Sequence, residues 1–263
     1  MLFRLITMCF FWTVLTFCHN AIADEKTVQV GVLHYPPYII VKDDGIITGL
    51  NPEIIRTVFT HAGFKVKFKV LPFARSIKLT ETGKIDAVGA LDDHSPVEIS
   101  LSRLPIANQI GGFFVRSDNN WQYSGIPSLD KQKVLYVRGY DYTALDPDYQ
   151  NYVETSPNVS RWNPINNHIE TVIRLLKNGR VDVTLEDVTV MKYMLSETKQ
   201  TDVLKEAGRL KGTIGLHIGF AKNKRGNKLL EAFNQSHSEL MASGKINPVF
   251  KKFNIPQIAP AKQ

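Results

Sequence analysis

The sequence predicts an α/β protein of two lobes, each built on a mainly parallel central sheet and joined to the other by two crossover strands. Three observations predict it. A strand, helix, strand order recurs along the chain, the pattern of parallel sheets covered by helices. The stretch Gly83-Lys84-Ile85-Asp86-Ala87-Val88 is echoed by Gly179-Arg180-Val181-Asp182-Val183-Thr184. Two strand-like runs, Gly111 to Val115 and Gly215 to Ala221, stand where a chain would leave the first lobe and return to it.

The first segment, Met1 to Ala23, reads as an export signal. Arg4 supplies a positive start, Leu5 to Cys18 an uncharged apolar run, and Ala21-Ile22-Ala23 the small residues at which such signals are cut. The run is about 14 residues, short of the roughly 20 that a spanning helix needs. A mature chain is therefore expected from near Asp24. A lipid anchor on Cys18 is the alternative, but bulky Phe17 stands where a small residue is wanted. Cys9 and Cys18 both leave with the signal, which excludes disulfides, thiol catalysis and cysteine-held metals in the mature chain. No metal or other cofactor is expected.

The full chain carries 32 basic and 25 acidic side chains, a formal charge of +7; loss of Arg4 leaves +6. The lysines are scattered and accompany no nucleic-acid motif, so a solvated basic surface is expected and no nucleic-acid partner. About 240 residues suffice for one large core or two smaller ones.

Thr27 to Leu33 reads as a β-branched strand, ended by Tyr35-Pro36-Pro37-Tyr38, whose prolines forbid a central strand. Asn51 and Pro52 read as a helix cap and first-turn proline. Ile54, Ile55, Val58, Phe59 and Ala62 follow at helical spacing, and Gly63 stops the helix. Phe64, Val66, Phe68 and Val70 then alternate with Lys65, Lys67 and Lys69, a half-buried strand with a lysine face. In each copy of the echo the glycine closes a helix, the basic residue suits the helix's negative end, and β-branched residues open the next strand. Such an echo also arises in any helix-to-strand turn; read functionally, it implies two lobes of similar construction.

Acidic residues stand at the expected end of each echoed strand, Asp92 and Asp93 in the first, Glu186 and Asp187 in the second. Ligands of open α/β sheets bind beyond those carboxyl ends. Helix capping is the plainer role for such residues, and Asp187 can do both. Residues 24–115 and 217–255 are expected to form the first lobe and 116–216 the second, with 256–263 a tail. Leu229, Leu230, Phe233, His237, Leu240 and Met241 form a late amphipathic helix closed by Gly244, with His237 expected on its flank and without chemistry. Trp121 and Trp162 read as core residues or as lids over an apolar part of a ligand.

These features, taken in order along essentially the whole mature chain, resemble the type 2 periplasmic solute-binding proteins, specifically the family-3 group that serves polar amino acid ABC transporters. The resemblance rests on Tyr35-Pro36-Pro37-Tyr38, Gly49, Gly83-Lys84-Ile85-Asp86-Ala87, Gly179-Arg180-Val181-Asp182 and the ending Ser243-Gly244-Lys245-Ile246 before Phe250 and Phe253. It implies a periplasmic, monomeric binding protein whose lobes close on a small polar solute, an amino acid, amine or related compound, for delivery to an inner-membrane ABC permease. By position, Tyr35 matches an aromatic that stacks on the ligand and Phe73 the wall opposite. Asp187 matches the acid that takes a ligand's amino group, where a buried ammonium needs a partner. Tyr38, from the same motif as Tyr35, and Asp93 and Ser95 are further candidates of the first lobe.

The first lobe departs from that pattern where amino acid receptors clamp a carboxylate. Asp93 stands in place of a hydroxyl residue and Glu98 in place of an arginine, within Asp93-His94-Ser95-Pro96-Val97-Glu98. Like charge there would repel an α-carboxylate. Arg75, near the start of a helix, and Arg138, after the strand Val134 to Val137, offer forked donors that could replace the clamp. Surface ion pairing is the alternative for each. The expectation is a binding protein and not an enzyme. A periplasmic enzyme of the same fold, with Asp93, Glu98 or Glu186 as acid or base, and a soluble sensing partner of a receptor are the competing readings.

Overall fold

A computed structural model of the chain describes residues 26–94, 97–138, 140–163 and 168–256. The expected export signal with both cysteines, Ser95, and the expected tail beyond Pro256 lie outside the described residues. The described residues fall into two compact units, one of 26–91, 97–104 and 217–256, the other of 92–94 and 105–216. In chain order the elements are β1 (Thr27–Val32), β2 (Ile40–Val41), β3 (Ile47–Thr48), α1 (Leu50–His61), β4 (Lys65–Val70), α2 (Phe73–Glu81), β5 (Ala87–Asp92) and β6 (Ile99–Leu101). There follow β7 (Ala107–Arg116), β8 (Val134–Val137), α3 (Pro147–Thr155), β9 (Val159–Trp162), α4 (His168–Lys177), β10 (Val183–Asp187), α5 (Val188–Glu197), β11 (Leu204–Ala221), α6 (Lys224–Ala242) and α7 (Asn247–Lys252).

In the first unit β1 lies between β4 and β5 and is parallel to both. The β-branched residues of β1 explain its central place. Val28, Val30 and Val32 are buried, as are Ile54, Ile55, Val58 and Phe59 of α1. Phe59 meets Phe233 of α6 at 5.4 Å between ring centroids and Phe220 of β11 at 6.2 Å. Strand β4 is the outer strand of this sheet, with Lys65 and Lys67 exposed. Lysines on an edge strand discourage pairing with another chain.

Two sequence expectations are corrected here. Asn51 is not the cap of α1: the helix begins at Leu50 after Gly49, whose φ of 105° lies in the left-handed region. The first amides, of Leu50 and Asn51, donate to the carbonyls of Pro37 and Tyr38 at 3.2 and 2.9 Å. Asn51 is instead buried and donates from Nδ2 to the Gly89 carbonyl at 3.0 Å, tying α1 to β5. His237 is not on the flank of α6: it is buried with Leu229, Phe233, Ser236 and Leu240, on the stripe that faces the core.

In the second unit β10 pairs antiparallel with β7 and parallel with β8, and β8 parallel with β9. Residues Leu204 to Leu216 of β11 pair antiparallel with β7. The core is aromatic: Phe113 stacks on Tyr123 at 4.1 Å and meets Trp121 and Tyr149 edge-on at 6.0 and 5.4 Å. Trp121 is thus a core residue, its Nε1 donating to the Ser128 carbonyl at 2.9 Å.

The echo is a repeated structural device. Gly83 and Gly179 both take left-handed φ, 66° and 64°, after α2 and α4. Asp86 and Gln29 then exchange two bonds: Oδ2 of Asp86 accepts the Gln29 N–H at 2.8 Å, and the Asp86 N–H donates to the Gln29 carbonyl at 3.0 Å. Asp182 and Lys133 repeat this at 2.8 and 2.9 Å. Each aspartate locks the start of an echoed strand, β5 or β10, to the chain at its neighbouring strand.

Candidate functional site

In the second unit, strand β10 is buried along its whole length and ends on two carboxyl groups. Asp187, the last residue of the strand, is also the cap of α5: Oδ1 accepts the Val190 N–H at 2.8 Å, and Oδ2 accepts the Ile110 N–H of β7 at 3.1 Å. Its side chain is held at a strand end and a helix N-terminus at once, where peptide dipoles favour negative charge. A carboxylate oxygen has lone pairs for more than one donor, so both backbone bonds leave Asp187 able to accept from a cation.

Glu186 is 4% exposed. Its Oε1 accepts the Asp187 N–H at 2.9 Å, while Oε2 has no hydrogen-bond partner among the described residues. Burial pushes its carboxyl up to about 8, opposed by that backbone bond and reinforced by the charge of Asp187. The phenol of Tyr140 is pushed far up, by burial first and then by Glu186 and Asp187, which places it among the same negative groups. Its carbonyl accepts the Tyr136 hydroxyl at 2.8 Å. The Tyr142 hydroxyl donates to the Leu185 carbonyl at 3.4 Å. Strand β7 faces the pair with glycines, Gly112 opposite Glu186 and Gly111 opposite Asp187.

The other candidates of this unit lie apart from that cluster in their bonding. Arg138 follows β8 and is exposed; its N–H donates to the Trp162 carbonyl at 2.8 Å, and its guanidinium has no ion pair among the described residues. Asp93 is exposed and pairs with the neighbouring His94, Oδ1 to Nε2 at 3.3 Å. Trp162 ends β9, half-buried.

In the first unit, the Tyr35-Pro36-Pro37-Tyr38 turn is closed by two bonds between Tyr35 and Ile39, each 2.8 Å. The Tyr35 ring is stacked on Tyr38 with centroids 5.4 Å apart. Tyr38 is fully buried, so it supports the half-buried Tyr35 ring and itself presents no surface. Phe73 opens α2 and is 37% exposed, among the few exposed large apolar side chains described. Arg75, two residues on, is exposed and without an ion pair among the described residues. Glu98, expected to make a pocket anionic, is an exposed residue that accepts from Lys222 Nζ at 2.7 Å, and that lysine holds its carboxyl below the usual range. Its charge is answered within the first unit.

The sequence placed Glu186 and Asp187 together at a ligand-binding strand end, singled out Asp187 as the ligand contact and offered Glu186 also as an enzymatic acid or base; it did not point to Tyr140 and Tyr142. The signal for the tyrosines was present, since they follow Arg138 beyond a strand's carboxyl end, but no periodicity marks a residue in a loop.

Comparison with known proteins completes the description. The model of the bacterial extracellular solute-binding proteins, family 3, matches residues 28–255. A probable amino-acid-binding protein of Bacillus subtilis, YxeM, is 23% identical over 252 residues, covering 91% of this chain and 90% of that protein. Among solved structures, an ancestral arginine-binding protein bound to arginine has a TM-score of 0.66 at 21% identity, covering 87% of this chain and 98% of that one. A histidine kinase sensor domain similar to periplasmic binding proteins has a TM-score of 0.68 at 19% identity, covering 87% and 96%.

Proposed function

The chain belongs to the bacterial extracellular solute-binding proteins, family 3, and from that membership we propose that it captures a small solute bearing an ammonium group in the periplasm and delivers it, as a monomer, to an inner-membrane ABC permease. The observation that carries the solute class is Asp187: a carboxylate at the end of a buried strand, 8% exposed and fixed by two backbone N–H groups. An anion so fixed is preorganised for a cation and loses little freedom on binding. Tyr35 and Phe73 supply aromatic surface for the apolar part of the solute, and Arg75 or Arg138 supplies the fork for a carboxylate where the solute has one.

The test is a thermal-shift screen of the purified protein against amino acids, amines, small peptides and organic acids. A saturable upward shift is expected with at least one ammonium-bearing solute, and no shift across the panel overturns the reading. Asp187→Asn keeps an oxygen for the cap but removes the charge. It should weaken binding about 30-fold or more, from the roughly 2 kcal/mol or more that loss of one member of a buried charge pair costs.

A second reading has one observation in its favour, since a buried carboxyl that holds its proton near neutral pH, as Glu186 does, is also what a general acid requires. Incubation with prephenate and with muropeptides separates the two readings. No loss of either compound is expected.

A further inference from the structure

Solute capture at Asp187 leaves Glu186 without a task, and its geometry asks for one. The side chain is 4% exposed, Oε1 is spent on the Asp187 N–H at 2.9 Å, and Oε2 has no partner among the described residues. The carboxyl is thereby fixed against Asp187 with one oxygen unused. A buried polar atom left unsatisfied is costly, and an apolar side chain at the end of a buried strand would avoid that cost. Such an atom in a native structure calls for an explanation, and a partner that arrives on binding is one.

The surroundings define that group. From β10 itself comes the negative Asp187; from the segment after β8 come the phenols of Tyr140 and Tyr142, both acted on by Glu186. From β7 come Gly111 and Gly112, which have no side chain. Helix α4 has its apolar residues Ile169, Val172, Ile173 and Leu176 buried. Helix α5 carries Lys192, whose ammonium is engaged by Glu206 at 3.1 Å. Among the described residues the charge that acts on Glu186 is that of Asp187, and no cation does.

We propose that Glu186 and Asp187 receive one ammonium group of the solute together, and that Glu186 releases its proton to solvent as the cation arrives. This rests on the reading that a solute ammonium meets Asp187. The balance is simple: the Glu186 O–H bond breaks, the proton leaves to water, its electron pair stays on the carboxylate, and the ammonium keeps all its protons. The uncharged acid lets the free protein keep two successive carboxyl groups at the end of one buried strand with a single negative charge. The arriving cation then stabilises the second charge. Burial, which pushes Glu186 up to about 8 in the free protein, is the reason the proton is there to be released. The site thus selects cationic amines and becomes more receptive as pH rises toward that value.

The experiment uses the intact chain in two measurements. Carboxyl carbon NMR of the solute-free protein should show one glutamate titrating near pH 8, a signal lost in Glu186→Gln. Calorimetry with L-arginine and with putrescine, whose amines stay protonated across the range, in buffers of different ionisation enthalpy should show about one proton released per molecule bound at roughly pH 6.5. Affinity should fall about tenfold per pH unit below about 8, and in Glu186→Gln both the proton release and the pH dependence should disappear while binding persists. Titration of Glu186 in the ordinary carboxyl range, or binding without proton release, overturns this inference and leaves the solute-binding reading intact. A Glu186 that titrates near 8 in a protein that binds neither probe overturns the assignment to cationic amines. Absence of binding across the whole solute panel overturns the underlying reading as well.

Discussion

A residue's place in the chain and the task it performs separate most clearly at Asp187. Its two carboxylate oxygens hold α5 through the Val190 N–H and β7 through the Ile110 N–H, so removing the side chain does structural damage before any solute is considered. Asp187→Ala should cost about 1 kcal/mol for the lost cap. It should cost a further 1 kcal/mol or so for the Ile110 N–H left without an acceptor. A drop of about 2 kcal/mol in urea unfolding is therefore expected for Asp187→Ala, and about half of that for Asp187→Asn, which keeps one acceptor oxygen but turns an NH2 toward the other N–H. Equal losses in the two variants would mean that the carboxylate charge, not the oxygen acceptors, holds the structure. The sequence allowed both capping and ligand contact at this position. The structure adds a second backbone bond, to Ile110, which no local pattern encodes because it crosses to a strand 77 residues away.

Among the elements, the echo makes the most specific claim, since its two aspartates make the same pair of bonds. Asp86 has more to lose than Asp182. It also holds Arg225, whose Nε donates to its Oδ1 at 2.7 Å and whose guanidinium reaches the Thr27 carbonyl at 2.8 Å. Asp86→Ala should therefore destabilise by about 2 to 4 kcal/mol, because a part-buried arginine loses its partner as well as an N–H its acceptor. Asp182→Ala should cost about 1 kcal/mol. Urea midpoints of the two variants check this, and an Asp182 loss as large as that of Asp86 would contradict it. The existence of these elements was legible, because glycine stops, amphipathic stripes and β-branched runs are local signals. Helix starts were less so, and two acid-or-amide-plus-proline pairs show why. Asp146-Pro147 caps α3, its side chain accepting the N–H groups of Asp148 and Tyr149. Asn51-Pro52 carries the same signature but lies inside α1, because the Pro37 and Tyr38 carbonyls already satisfy the helix's first amides and Asn51 is taken by Gly89. A Cβ on Gly49 would stand 2.6 Å from the Tyr38 carbonyl oxygen, so that close approach depends on glycine. The antiparallel pairing of β7 was likewise illegible, since the alternation of a strand does not state the direction of its neighbour.

For the whole molecule, each unit carries a buried group that opposes its own ionisation within the range from about pH 4 to about 8, His237 in the first and Glu186 in the second, and the two act in opposite directions. In the first unit burial, with some repulsion from His217, pushes His237 down to about 4 from 6.5. The unfolded chain takes up this proton first as pH falls. The contribution is therefore complete above pH 6.5 and is lost as pH drops toward 4, a change on the order of 3 kcal/mol. In the second unit Glu186 is raised to about 8 from 4.5, so the unfolded chain gives up this proton first as pH rises. Its contribution is complete below 4.5 and is lost as pH rises through 8, by at most about 1.4 kcal/mol per unit. Between 4.5 and 6.5 the slopes offset each other. From 6.5 to 8 only Glu186 of this pair has a slope, and the solute-free protein should lose thermal stability steadily over that interval. Glu186→Gln should flatten this alkaline limb and leave the acid limb unchanged. His237→Leu, a substitution of similar bulk at a ring whose Nε2 has no partner among the described residues, should extend stability on the acid side down to where paired carboxylates such as Glu53 and Glu206 take protons. Those two are held below the usual range, so their losses begin only under about 4.5. Melting temperatures of the three proteins across pH 4 to 9 decide the matter. A wild-type profile that rises from 6.5 to 8, or a Glu186→Gln profile that keeps the decline, would show that the buried carboxyl is ionised in the folded protein and that the alkaline limb has another source.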